Sequence, residues 1–248
     1  MEQARDQLII FRLGKIKNKY LIIDIVCWTN FLEICTPKFT KASRAFNRLY
    51  QEHGLAFVTN GISCWEYACL PRKPKSLIKR ITDIKIISKG LNRRRFKLQL
   101  IYDSRKDGSS PLKFHEQCDG IPNTLCVMQS SARQIFGGYT KLPWRPREKG
   151  KHKADPTAFL FSLTKHSLHP IKPEQAEKAV YHEKRCFCVF GDTTATDLFI
   201  GEYWYSSKLG TSYEAPVGIE PTSYQARSYL AGQENIDIIA FQTYNILF

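Results

Sequence analysis

Several signatures that would announce an enzyme are missing from this chain of 248 residues. There is no Gly-x-x-x-x-Gly-Lys-Ser/Thr loop to cradle phosphates and no Gly-x-Gly-x-x-Gly dinucleotide turn. There is no His-Glu-x-x-His pair for a catalytic zinc and no Gly-x-Ser-x-Gly nucleophile elbow. Paired Cys-x-x-Cys knuckles, which would build a structural zinc site, are also absent. Eight cysteines are present, but they sit mostly in apolar runs without the dense spacing of a disulfide framework, which predicts buried thiols in a reducing compartment. The most membrane-like run, residues 20–35, is too short to span a bilayer and is broken by Asp24, Asn30 and Glu33. Charged residues before Tyr20 and the lack of a clean cleavage site argue against a signal peptide. The expectation is a soluble, cytoplasmic protein.

What is present is ordinary globular composition, 43% hydrophobic and 24% charged. The charge is unevenly spread: 19 Lys and Arg face 7 Asp and Glu in residues 1–96, against 18 and 16 in the remainder. The expected organisation is therefore a basic N-terminal extension, residues 1–95, ahead of a nearly neutral, self-contained domain over 96–248. Such a basic arm suits an acidic protein, a membrane surface or nucleic acid, or is simply solvated. Arg93-Arg94-Arg95 and Pro71-Arg72-Lys73-Pro74-Lys75 have the charge for phosphate contacts, but no aromatic residues alternate with them as a stacking platform requires.

In the arm, apolar runs around the basic turn Gly14–Lys19 suit a strand–turn–strand, and Ala42, Ala45, Phe46, Leu49 and Tyr50 mark one face of an amphipathic helix over 40–52. From Phe96 the pattern turns to strands. Phe96–Tyr102 alternates; Ser110-Pro111 suits a helix N-cap followed by proline at the first helical position. Strands are expected at 124–129, 134–144, 179–182, 186–190, 197–205 and 236–244. Ala158–Leu163 is apolar throughout, as in a strand buried on both faces. Arg145–Lys153 and His166–Glu177 are expected to be loops. Many short strands and few helices predict an α+β, mainly β architecture: two antiparallel sheets packed as a sandwich with peripheral helices.

The most informative stretch is Gln134–Trp144. Two adjacent glycines, Gly137 and Gly138, interrupt a strand between Phe136 and Tyr139, and adjacent glycines in a strand mark a bulge, a bend or a very close approach. Either a core corner or a binding edge fits. If a partner is met here, Tyr139, Thr140, Lys141 and Trp144 are the expected contacts.

Two constellations have the residue types for chemistry. His182-x3-Cys186-x-Cys188 offers three soft metal ligands, but no fourth has a fitting spacing, so core cysteines are expected. His115 and Cys118, three apart on the predicted helix, are neighbours on its surface and carry the types of a nucleophile pair for a thiol enzyme or hydrolase, without a third orienting group.

Landmarks spread in order along residues 97–246 resemble the TLDc domain of oxidation resistance proteins. They are Leu100-Ile101-Tyr102 with Asp107-Gly108, Phe114-His115-x-x-Cys118-Asp119, Thr124-Leu125, Ile135–Tyr139 and Pro143-Trp144. Asp155-Pro156-x-Ala158–Leu163, Phe190-Gly191 before Asp197-Leu198, and Ser228–Gly232 follow. Phe-Gly-Gly-Tyr-Thr and Asp-Pro-x-Ala-Phe-Leu-Phe-Ser-Leu look like protist versions. The resemblance implies the same β sandwich, with Phe136, Gly137, Gly138, Tyr139, Trp144, Asp155, Phe159, Gly191 and Gly232 as fold-defining positions. It implies a regulatory, non-enzymatic protein without cofactor or metal, linked to protection against oxidative stress and to the cytosolic subunits of the proton-pumping V-ATPase. Two positions depart from the family pattern: Ile239 stands where an acidic residue is usual in the closing strand, and Asp192–Thr196 replaces a glycine run.

Overall fold

The computed structural model describes residues 76–145 and 147–248, and ahead of them the backbone of a two-stranded antiparallel ladder, β1 (Val58–Thr59) with β2 (Ile62–Ser63). The helix expected over 40–52 and the elements expected in residues 1–36 lie outside the described residues. The chain divides into two compact units, Met1–Ala68 and Cys69–Phe248. The boundary expected at residue 95 thus falls inside the second unit, which is the subject below.

In chain order this unit contains α1 (Ile81–Gly90), β3 (Lys97–Asp103), α2 (Ser104–Asp107), α3 (Pro111–Cys118), β4 (Thr124–Ser130), β5 (Ile135–Thr140) and β6 (Lys151–Lys153). Then come β7 (Phe159–Ser162), β8 (Ser167–Pro170), a 3-10 turn (Pro173–Lys178), β9 (Val180–His182), β10 (Cys186–Phe190), β11 (Leu198–Gly201), β12 (Tyr205–Ser206), α4 (Tyr224–Ser228) and β13 (Ile238–Leu247). Two antiparallel sheets result, ordered β3-β13-β4-β5-β7-β8 and β12-β11-β10-β9-β6. Side chains from both fill one core, including Met128, Phe136, Leu160 and Phe241 from the larger sheet and Val180, Cys188, Phe190 and Ile200 from the smaller. The mainly β sandwich expected from the short apolar segments is the observed fold.

Where the structure departs from the sequence reading, the departures are edge strands and one helix. β6 and β8 lie in segments expected to be loops. Both are edges of their sheets, and an edge strand needs neither two apolar faces nor a full set of amide donors, so Lys151, Lys153 and Pro170 are tolerated there. α1 was not expected, yet Ile84 and Ile87 are buried on one face of it. Its start is fixed by Asp83, whose carboxylate accepts from the amides of Lys79 and Arg80 at 3.0 and 2.9 Å. α3 begins as expected: Ser110 accepts from the amide of Lys113, with Pro111 at the first helical position.

The Gly-Gly pair is neither a bulge nor a bend. β5 runs unbroken through it, with Gly137 opposite Val127 and Phe161 and Gly138 opposite Cys126 and Leu160. The reason for glycine is close approach. A Cβ on Gly138 would lie 2.6 Å from two carbons of the Phe190 ring and 2.8 Å from Leu160, and one on Gly137 would lie 1.9 Å from the Cys126 carbonyl oxygen. The missing side chains let the facing sheet lay an aromatic ring directly on the strand.

Buried polar groups are tied into the chain. Asp155 accepts from Thr140 Oγ1 at 2.6 Å, from the Lys141 amide at 2.9 Å and from both donors of Thr157. Asp197 gathers the amides of Gly210, Thr211, Ser212 and Tyr213 at 2.7–3.2 Å. Gly191, at φ +98°, leaves the room this carboxylate occupies: a Cβ there would be 2.5 Å from its Oδ2. Gly232, at φ +83°, ends the α4 region by donating its amide to Ser228. A further chain runs from Ser76 through Tyr244 and Gln242 to Asp103, fastening residues 76–77 to β13 and β3. His169 bonds at both nitrogens, to Ser167 and to the Glu214 carbonyl, each at 2.9 Å. His182 is buried, and among the described residues neither ring nitrogen has a partner.

Two predictions follow from this packing. Gly138→Ala removes the backbone entropy disadvantage of glycine, worth about 0.5–1 kcal/mol, but forces the Phe190 ring to move at about 1–3 kcal/mol. Net destabilisation in urea is expected, with the loss reduced in the Gly138→Ala, Phe190→Leu double variant relative to additivity; a more stable Gly138→Ala protein would refute the close-approach argument.

The second concerns acid. Burial holds the rings of His169 and His182 down to about 4 against an ordinary 6.5, so the unfolded chain binds these protons first and stability falls as pH drops from about 6.5 to about 4. Burial pushes the Asp197 carboxyl the other way, from 3.8 up to about 6, against the pull of its four amides. That group's contribution weakens as pH rises from about 3.8 to about 6. Two protons against one leave a net loss on acidification of about 1.4 kcal/mol per pH unit near pH 5. Urea midpoints measured between pH 4 and 7 should show it, with a flatter profile in His169→Gln; an unchanged slope in that variant would exclude His169 as a source.

Candidate interaction surface

Of the four residues expected to meet a partner, three are in the core. Tyr139 stacks on Phe159 with ring centroids 5.0 Å apart and donates its hydroxyl to Asn123. Thr140 is buried against Asp155. Trp144 is buried, edge-on to Phe190, with its indole N–H donated to Thr124 at 2.9 Å. Lys141 alone of the four is exposed. The reason is that β5 is an interior strand between β4 and β7, with the face of Gly138 under the second sheet and the opposite face of Tyr139 covered by Phe159, against which Gly90 of α1 rests. Phe136, Phe159 and Asp155 are buried as well.

His115 and Cys118 do share α3, but they are not arranged as a nucleophile and its base. His115 Nδ1 meets the Asp119 carboxylate at 2.7 Å, and Nε2 points to the carbonyls of Cys186 at 3.0 Å and Glu183 at 3.3 Å. Both ring nitrogens are committed to oxygen acceptors. Cys118 is fully buried and burial pushes its thiol far above the ordinary range, away from the thiolate that reacts. Cys186 and Cys188 are likewise buried, Cys186 pushed up to about 12. A register shift between them in β10 breaks the simple one-face relationship expected from their spacing. Among the described residues no group of three or more His, Cys, Asp or Glu is placed to hold a metal ion.

The surface feature the sequence did not reveal is aromatic. The strand expected over 197–205 is in fact two, β11 and β12, and the turn between them lifts Tyr203 and Trp204 into solvent at 80% and 61% exposure. Trp204 stacks on Phe199 at 5.1 Å, nearly parallel, so the ring is held flat against the sheet. Beside this shelf lies an open hollow of about 440 Å³ whose rim includes Arg185, Glu183 and Lys208. A second hollow of about 510 Å³ adjoins it, sharing Arg185 and Glu202 and bordered by Leu112, which is 66% exposed at the start of α3. Three exposed apolar side chains with charges of both signs around them form the kind of surface that seats a protein partner: aromatic anchors within a polar rim. The available signal was the run Tyr203-Trp204-Tyr205 itself, since alternation cannot bury three consecutive rings on one face of a strand.

Ile239, one of the two departures from the family pattern, is 52% exposed beside a register shift in β13. Its position is one where a charged side chain reaches water, and isoleucine leaves an apolar group there instead. Asp192, in the other departure, pairs with Lys178 and accepts the Thr194 amide, so this loop is braced by side chains.

No curated protein matches the chain. A family model for the TLDc domain matches residues 73–246, a segment that takes in α1 and both sheets nearly to the last residue of β13. With the sandwich in place and its landmarks at the core positions described, this chain belongs to the TLDc domain family.

Proposed function

We propose that the protein is a non-enzymatic regulatory module that acts by protein–protein contact on the cytosolic part of the V-ATPase and contributes to protection against oxidative stress. The family supplies the class of function; the observation that carries the reading in this chain is the solvent-facing shelf of Tyr203 and Trp204 over two adjoining hollows. A large flat aromatic held at the surface by stacking loses little conformational freedom on binding, which is why tryptophan and tyrosine dominate interface hot spots. None of the described helices is long and apolar enough to cross a membrane, so a role at a membrane pump fits docking onto its cytosolic subunits. The domain carrying this function is proposed to begin near residue 73, with the preceding basic segment as an accessory arm.

The test is a reconstitution. Purified full-length protein added to purified V-ATPase should bind and change proton pumping or subunit assembly. Trp204→Ala should weaken that binding by tenfold or more, about 1.4 kcal/mol, while leaving the fold intact. Wild-type protein that neither binds nor alters pumping would end the V-ATPase reading; binding unaffected by Trp204→Ala would move the contact elsewhere on the domain.

The burial of Cys118 also makes a prediction against thiol chemistry. In cells challenged with peroxide, Cys118→Ala protein that remains folded should protect as well as wild type, since a thiol with no solvent access and a strongly raised pKa has no route to react. Loss of protection in a folded Cys118→Ala variant would revive the redox-enzyme alternative.

A further inference from the structure

Buried hydrogen-bonding groups are ordinarily paired, and an unpaired one marks a site that expects something else. Among the described residues two such groups fall together. His182, at the end of β9, is 2% exposed, and neither Nδ1 nor Nε2 has a protein partner. The Nε of Arg147 is also buried and unpaired. The two are linked through the chain: the amide of Lys184, two residues beyond His182, donates to the Arg147 carbonyl at 3.0 Å.

The surroundings are cationic. β6 pairs with β9 so that Lys151 stands opposite His182 and Lys153 opposite Val180. Residues directly opposed in an antiparallel pair project to the same side of the sheet. Val180 and His182 are both buried, and Lys153 is half-buried on that side while Lys151 is exposed. The charges of Lys153 and Arg147 both bear on the His182 ring and help hold it in the neutral form, as does His115. The carboxylate that bears on the ring from the opposite direction, Asp119, is taken by His115 at 2.7 Å. Glu148, next to Arg147 in sequence, is taken by Lys184. Lys153 and Arg147 make no ion pair among the described residues. Trp144 packs against His182, its ring 5.2 Å away, and its own N–H is already spent on Thr124.

From this convergence we infer that Arg147, Lys153 and His182 form a binding site for a small tetrahedral oxyanion of the phosphate class. A guanidinium N–H, an ammonium and an imidazole N–H supply three donors to three oxygens, and two like charges left without a carboxylate gain a counter-ion. The burial of His182 restricts the occupant to a free ion; a lipid headgroup or a nucleotide brings too much bulk behind its phosphate. The inference does not depend on the V-ATPase reading.

The probe is inorganic phosphate, added to the full chain at constant ionic strength made up with sodium chloride. The thermal midpoint should rise with phosphate and not with chloride, following the logarithmic dependence of single-site linkage. In NMR titration the His182 ring should take up its proton at higher pH in phosphate than in chloride, because the anion offsets the neighbouring cations. Lys153→Gln, on a half-exposed edge strand, and Arg147→Gln should each fold and each weaken the apparent affinity by about tenfold or more, the loss expected from one charge-assisted hydrogen bond. Equal midpoints in phosphate and chloride would overturn the site. So would a phosphate effect that survives unchanged in both variants, or a His182 titration indifferent to phosphate.

Discussion

The sandwich depends on one close approach. Phe190 of the smaller sheet lies on the backbone of β5 at Gly138, nearer than any side chain there would permit. The same ring is edge-on to Trp144 and to Tyr213, so it is the hub through which the interior strand, the segment after β5 and the 207–213 loop are held together. A core of this kind has no slack, because protein interiors pack as densely as organic crystals. Substituting Gly138 displaces Phe190, and through it Trp144, which in turn lies against Phe114 and His182. The constraint explains why two glycines persist in the middle of a fully hydrogen-bonded strand, where propensity alone disfavours them.

The two buried aspartates serve the same purpose at the periphery. Asp155 gathers Thr140, Lys141 and Thr157, closing the connection between β5 and β7. Asp197 collects four consecutive amides of the segment that follows β12. A carboxylate that accepts several backbone N–H groups replaces the hydrogen bonds an irregular loop cannot make for itself, so loops cross a buried region without leaving orphaned amides. His182 and Arg147 stand out because the same accounting fails for them.

The sequence made the interior of this fold legible and its margins obscure, for a physical reason. Ala158–Leu163 and Thr124–Gln129 are apolar on both faces because β7 and β4 are covered on both faces, and such a run has few alternatives to a buried strand. β6 and β8 carry Lys151, Lys153 and Pro170 because edges meet water, and an edge strand then looks like a loop. Gly137 and Gly138 were recognisable as a place of close approach, but whether the chain bends there is settled by Phe190, fifty-odd residues away in sequence and supplied by the other sheet. The shelf was hidden for a related reason. Tyr203, Trp204 and Tyr205 are consecutive, so alternation cannot bury all three, but only the turn between β11 and β12 shows which of them face outward.

That division bears on where function resides. Residues with the chemical types of catalysis, His115, Cys118, Cys186 and Cys188, are absorbed into the core, with their protons and lone pairs committed or shielded. Phe136, Tyr139, Trp144, Asp155 and Phe159 are also interior, and interior identity specifies a fold without specifying an activity. The features open to a partner sit outside the core: the Tyr203–Trp204 shelf and the half-exposed Ile239. A rigid, densely packed sandwich is well suited to this arrangement, because it holds exposed aromatics in fixed positions and leaves the surface free to vary without disturbing the core.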